Sequence, residues 1–148
     1  MSQAQARPWV EARPPGGSDC QCWSPQHLRD LPGVRREFRT WVMSVVEDSP
    51  QLRENRVEES VLALDELMSN ALRHGRAPVD VEVCSTDGGL LLRVADRAAE
   101  APPRPTSTRD PGDGGMGLGM IADFALDCGW FADGDQKVVW AVMPSEVA

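Results

Sequence analysis

The chain has 148 residues, 23 acidic and 15 basic, for a formal charge of -8 and a pI near 4.7. That length fits one domain able to bury a core without staples. Acidity without a basic stripe excludes a partner held by phosphate neutralisation, such as duplex DNA, so any phosphate ligand must rely on local amides and a metal ion.

Residues 1–19, with Pro8, Pro14, Pro15, Gly16 and Gly17, are expected to form a flexible tail ahead of a domain over 20–148. From Pro32 to Val46 the apolar residues Val34, Phe38, Trp41, Val42 and Val45 fall at helical spacing, with Asp30 as the cap and Glu47-Asp48-Ser49-Pro50 as the end. His27-Leu-Arg-Asp-Leu-Pro32 is too close to the next helix to form a phosphoacceptor hairpin, so His27 reads as a surface residue.

A second helix is expected from about Arg56 to His74. Its core stripe is Val57, Val61, Leu64, Met68, Ala71 and Leu72, and Gly75 is expected as a left-handed stop. Glu66, Asn70 and Arg73 fall off that stripe. Val79, Val81 and Val83 alternate, Asp87-Gly88-Gly89 turns, and Leu90 to Ala95 returns, which reads as a hairpin.

Residues 97–115 carry Pro102, Pro103, Pro105 and Pro111 without periodicity and run into the glycines of GDGGMGLGM, as a ligand-ordered lid would. A helix follows through Ile121, Ala122 and Ala125. Trp130-Phe131 and Val138 to Val142 then pair around Asp133-Gly134. The expected fold class is α/β, a two-layer sandwich of a mixed or antiparallel sheet covered by helices on one face.

The cysteines Cys20, Cys22, Cys84 and Cys128 are scattered, with no signal-peptide pattern and no apolar run long enough to span a bilayer. A cytoplasmic protein with reduced thiols and no membrane contact is the expectation. Cys20-Gln21-Cys22 has the form of half a metal site, but no second close pair completes it. Core or incidental thiols are favoured over zinc ligands.

Asparagine is a poor helix former, so an internal Asn70 either faces water or has a task. Glu66 and Asn70, four apart on one helix face, can address one ligand. Magnesium accepts one amide oxygen when phosphates supply others, and a carboxylate at Glu66 could take a proton from an attacking hydroxyl. The glycines let a backbone approach phosphate oxygens ahead of a helix start. Each feature alone is more often a solvated helix face or a plain loop. Together, in this order and with Asp96 between, they favour a site.

Glu66-Leu-Met-Ser-Asn70-Ala-Leu-Arg-His74-Gly75 resembles the N box of GHKL-type ATP-binding domains, and Gly115-Met116-Gly117-Leu118 with Met120-Ile121 resembles their second glycine box. The resemblance is closest to the anti-sigma-factor serine/threonine kinases and related actinobacterial regulators, whose end pattern is similar to Gly134-Asp-Gln-Lys137-Val-Val-Trp140. It covers roughly residues 23–144. It implies ATP and Mg2+ as cofactors, Glu66 as the catalytic carboxylate and Asn70 as metal ligand. It further implies that Asn70, Arg73, Asp96, Gly112, Gly114, Gly115, Met116, Gly117, Leu118 and Gly119 bind the nucleotide, with Asp96 taking the adenine amino group.

The first glycine box departs from that pattern, because Asp96-Arg97-Ala98-Ala99-Glu100 holds no glycine. Val138 stands where many relatives place a threonine near the base. The implied function is a regulatory kinase acting on a small anti-anti-sigma-like antagonist protein in control of a sigma factor, with a homodimer usual among relatives. The alternative is a nucleotide-sensing protein-binding module without phosphoryl transfer, and a histidine-kinase-like catalytic fragment comes third.

Overall fold

A computed structural model describes residues 9–46, 50–103 and 115–145, without the side chains of 50–53 and 115–116. In chain order the elements are β1 (Ser18–Trp23), α1 (Leu31–Val45), α2 (Pro50–His74), β2 (Asp80–Thr86), β3 (Gly89–Asp96), α3 (Gly115–Phe124), β4 (Asp127–Asp133) and β5 (Gln136–Pro144). The strands form one antiparallel sheet in the order β1-β2-β3-β5-β4. The fold is the α/β sandwich that the patterns imply.

The helical stripes pack as their spacing dictates. Val34, Phe38 and Val42 of α1 and Val57, Val61, Leu64, Met68 and Ala71 of α2 are buried in one cluster with Leu118 and Ile121 of α3. That cluster rests on alternate residues of the two central strands, Leu90, Leu92 and Val94 on β3 and Val139, Ala141 and Met143 on β5. Gly88 and Gly134, at φ 73° and 65°, close the two hairpins with backbone that side chains disfavour.

Three helix ends differ from expectation. Asp30 does stand at the start of α1, but its carboxylate accepts from the amides of Gln26 and His27, each at 2.9 Å, and so closes the short 3-10 turn at Leu28–Asp30. Gly75 is not left-handed: positive φ at glycine occurs, among the described residues, only at Gly88 and Gly134. Its N–H still donates to Ala71 O at 2.9 Å, and its reason for being glycine lies in the site. Helix α1 ends at Val45 with an extended Val46 as its C-cap, close to the expected stop; of the expected terminator 47–50 only Pro50 is described, as the first residue of α2, which starts six residues before the expected Arg56.

The intervening residues of the central strands make a second apolar layer on the face away from the helices. Leu91, Ala95, Val138, Trp140 and Val142 cluster there with Cys84 and Phe131. Residues 9–17 cover part of it, where a tail was expected. Trp9 is buried in the helix-side core, and residues 10–12 run parallel to β4 through Ala12 N–H to Trp130 O and Trp130 N–H to Val10 O. The Trp140 indole then donates to Ala12 O at 2.7 Å, the Arg13 guanidinium stacks 4.5 Å over the Phe131 ring, and Gly17 abuts Cys84. The chain thus crosses from one sheet edge to the other before entering β1. A proline- and glycine-rich stretch gives no periodic signal because its contacts are indole, guanidinium and backbone, made one at a time.

The sulfurs of Cys20 and Cys84 are bonded across β1 and β2, where reduced thiols were expected; Cys22 and Cys128 are not disulfide-bonded. The two bonded cysteines are 64 residues apart, and only the unanticipated strand β1 brings them together. No described helix is long and apolar enough to cross a membrane.

Candidate functional site

Helix α2 lies across the sheet and presents Glu66, Asn70 and Arg73 at offsets of four and three, so all three share one face. Glu66 and Asn70 are half-buried and Arg73 is exposed. Over this face packs the start of α3. A Cβ built on Gly117 would coincide with the Glu66 carboxyl, so any larger residue there must displace that side chain. Glu66 Oε2 is buried without a hydrogen-bond partner among the described residues. Burial, and secondarily the neighbouring Asp65 charge, raise the Glu66 carboxyl above the ordinary range, with Arg73 acting in the opposite sense.

A helix leaves its first N–H groups unpaired and carries partial positive charge at that end. The first turn of α3, Gly115 to Leu118, brings such groups close to Glu66 through Gly117. Leu118 contributes only backbone, because its side chain is buried in the core. Gly115 and Met116 belong to α3, and Gly119 is half-buried in its second turn. Gly112 and Gly114 lie outside the described residues.

Nine residues further along α2, Gly75 meets the other half of the site. A Cβ there would stand 2.5 Å from Asp96 Cγ and Oδ2 and 2.7 Å from Ala71 O, so Gly75 is glycine to admit Asp96. Asp96 ends β3 and is 2% exposed. Its Oδ1 accepts from Ala98 N–H at 2.7 Å, and its Oδ2 lies 3.6 Å from Lys137 Nζ. Glu66 and Gly75 are about 13 Å apart along the helix axis at 1.5 Å per residue.

Lys137 is the residue that the sequence reading missed. It is the chain's single lysine, is 5% exposed, sits opposite Asp96 in the β3–β5 register, and also donates to Ala101 O at 2.7 Å. Val138, singled out as the threonine replacement near the base, belongs to the outer apolar layer, so strand alternation gives the cleft to position 137. A lone lysine two residues after a turn was the available signal.

The start of the expected lid is anchored. Arg97 N–H donates to Arg76 O at 2.8 Å, its guanidinium pairs with Asp135 at 2.7 Å, Arg76 pairs with Glu100, and Ala101 N–H bonds Ala98 O. Ala98, within the glycine-less box, is 5% exposed and serves Asp96 through its amide. Residues 104–114 lie outside the described residues.

The donor set fits a magnesium nucleotide better than a free ion. Asn70 offers one amide oxygen, so phosphates and water would have to complete the coordination. The three-residue cluster of metal-type ligands among the described residues lies elsewhere, at Cys20, Glu82 and Cys84.

Residues 25–143 match the family pattern described as a histidine kinase-like ATPase domain. No curated protein matches the chain in sequence. Among solved structures, the Acinetobacter baumannii histidine kinase AdeS is similar at a TM-score of 0.43 and 15% identity, over 60% of this chain and 47% of that one. The chain therefore matches less than half of that protein's length.

Proposed function

The chain belongs to the histidine kinase-like ATPase family, and from that premise we propose that it binds Mg-ATP between α2, α3 and the end of β3 and transfers phosphate to a protein hydroxyl. The adenine amino group donates to Asp96, the phosphates lie against the first turn of α3, and Asn70 holds the metal with Arg73 beside the polyphosphate. Magnesium would neutralise charge on the phosphate oxygens.

The observation that supports transfer, beyond binding, is the buried Glu66 oxygen that has no hydrogen-bond partner among the described residues. A carboxyl raised by burial is poised to take the proton of a serine or threonine hydroxyl as that oxygen attacks the γ-phosphorus and ADP leaves. We assign the chain as an anti-sigma-like serine/threonine kinase acting in the cytoplasm on a small antagonist protein, with a sigma factor as its second partner and a homodimer as the working form.

The second reading, a nucleotide-sensing module without transfer, is favoured by one observation: Lys137 and Ala98 already satisfy Asp96, so base binding must compete with internal partners. Incubation with γ-labelled ATP and co-purified proteins separates the two. Label on a partner's serine or threonine supports the kinase; saturable ATP binding with no labelled partner leaves the sensing module.

A further inference from the structure

Away from the cleft, β1 and β2 gather three of the chain's four cysteines. The register sets Cys22 opposite Glu82, the period of two along β2 puts Glu82 and Cys84 on one face, and the disulfide places Cys20 against Cys84 where the β1 register shifts. Ligand atoms of Cys20, Glu82 and Cys84 all lie within 4.8 Å of one another, and Cys22 Sγ stands 3.9 Å from Glu82 Oε2. Arg93 Nη1 approaches the other Glu82 oxygen at 3.6 Å. Cys22, Glu82 and Arg93 line an open groove of about 320 Å³, which gives an ion a path in.

Three thiolates and one carboxylate are a soft set that suits zinc and not magnesium or calcium. Zinc–sulfur bonds of about 2.3 Å and zinc–oxygen bonds of about 2.1 Å in a tetrahedron put neighbouring ligand atoms roughly 3.5–4 Å apart. The Cys22–Glu82 separation of 3.9 Å and the mutual 4.8 Å limit of Cys20, Glu82 and Cys84 are close to that spacing. Cys20-Gln21-Cys22 looked like half of a metal site with no partner in sequence, and β2 supplies the missing half.

We propose that, with its thiols reduced, the chain binds one zinc ion through Cys20, Cys22, Cys84 and Glu82, and that the Cys20–Cys84 disulfide is the metal-free form of the same site. The two forms exclude each other because a sulfur bonded to sulfur has no thiolate to offer. Reduction by a dithiol breaks the S–S bond, delivers two electrons and two protons to the cysteines and leaves the reductant as its own disulfide. Zinc then displaces the thiol protons to solvent. Arg93 holds Glu82 from outside, as ligating carboxylates require. Either form ties β1 to β2.

The test uses the full chain, reduced with a dithiol, freed of it without air, and titrated with cobalt(II) and then zinc(II). One cobalt per chain should give thiolate charge-transfer and tetrahedral visible bands, and zinc should displace it. Glu82→Gln and Cys22→Ser should each weaken zinc by at least the roughly 10–100-fold that loss of even an outer-shell partner costs. Cys128→Ser should bind as wild type, and oxidised protein with its bridge intact should not bind. Cys22 is exposed and Glu82 half-buried, so these variants keep the fold where Cys84→Ser, inside the outer apolar layer, could lose it. The proposal is overturned if reduced wild type takes up no tetrahedral cobalt, if both Glu82→Gln and Cys22→Ser bind zinc as tightly as wild type, or if oxidised protein binds equally well.

Discussion

The Glu66 carboxyl occupies the space that any side chain at position 117 would need. Alanine in place of a helical glycine ordinarily stabilises by up to about 1 kcal/mol, whereas forced overpacking costs about 1–3 kcal/mol. Collision should win in the wild type. Gly117→Ala is therefore expected to destabilise the native chain but to stabilise it in a Glu66→Ala background. Denaturant unfolding of the four proteins reads this reversal of sign; equal effects in both backgrounds would detach Glu66 from α3.

Glu66 should separate chemistry from binding. Glu66→Gln is expected to keep ATP affinity and to lower transfer by roughly two to four orders of magnitude. The pH dependence has a definite sign. Because burial raises the folded carboxyl above its unfolded value, its contribution is fully present below the ordinary range near about 4.3 and is lost as pH rises through the folded value. Glu66→Gln should thus gain on wild type as pH rises toward neutrality, and the gap should close in acid. Parallel stability curves would remove the desolvated carboxyl from the account.

Asn70 gives the metal test. With one amide oxygen on offer, ATP binding should require magnesium, and Asn70→Ala should lose most of it by calorimetry while the fold persists. Unchanged affinity would take the metal away from this residue.

The Asp96–Lys137 pair is buried on both sides, so removing one partner strands the other. Lys137→Ala is expected to cost about 3–5 kcal/mol, and the double change Asp96→Asn with Lys137→Met should recover much of that. In binding, Asp96→Asn should weaken ATP far more than GTP, whose corresponding edge bears a carbonyl. Ala98→Gly should bind ATP at least as tightly as wild type. Equal losses for both nucleotides would mean that Asp96 does not read the base.

Much of this was legible in the chain because period and burial agree. The stripes of α1 and α2, the Asp87–Gly89 turn and the β4–β5 pair follow from alternation that one apolar core enforces. The face of Glu66 and Asn70 was legible for the complementary reason, since polar residues repeating at helical spacing lie off the stripe. Strand β1 was not, because an exposed edge strand has no apolar side to betray it; SDCQCW carries five exposed residues before Trp23. Gly75 was identified as a terminator, yet what fixes it is a carboxylate 21 positions later in the chain. Lys137 escaped for the same reason: its burial depends on a cross-strand neighbour, and no local pattern encodes that.

The crossing of residues 9–17 over the sheet redraws the boundary of the folding unit. The family match begins at residue 25, but a fragment cut there would leave the buried Trp140 indole without its acceptor, Phe131 without the nearer of its two guanidinium neighbours and an apolar sheet face open to other chains. Such a fragment would aggregate whatever the merit of its nucleotide cleft. The smallest piece that can be expected to fold alone starts no later than Trp9, whose side chain is already part of the core.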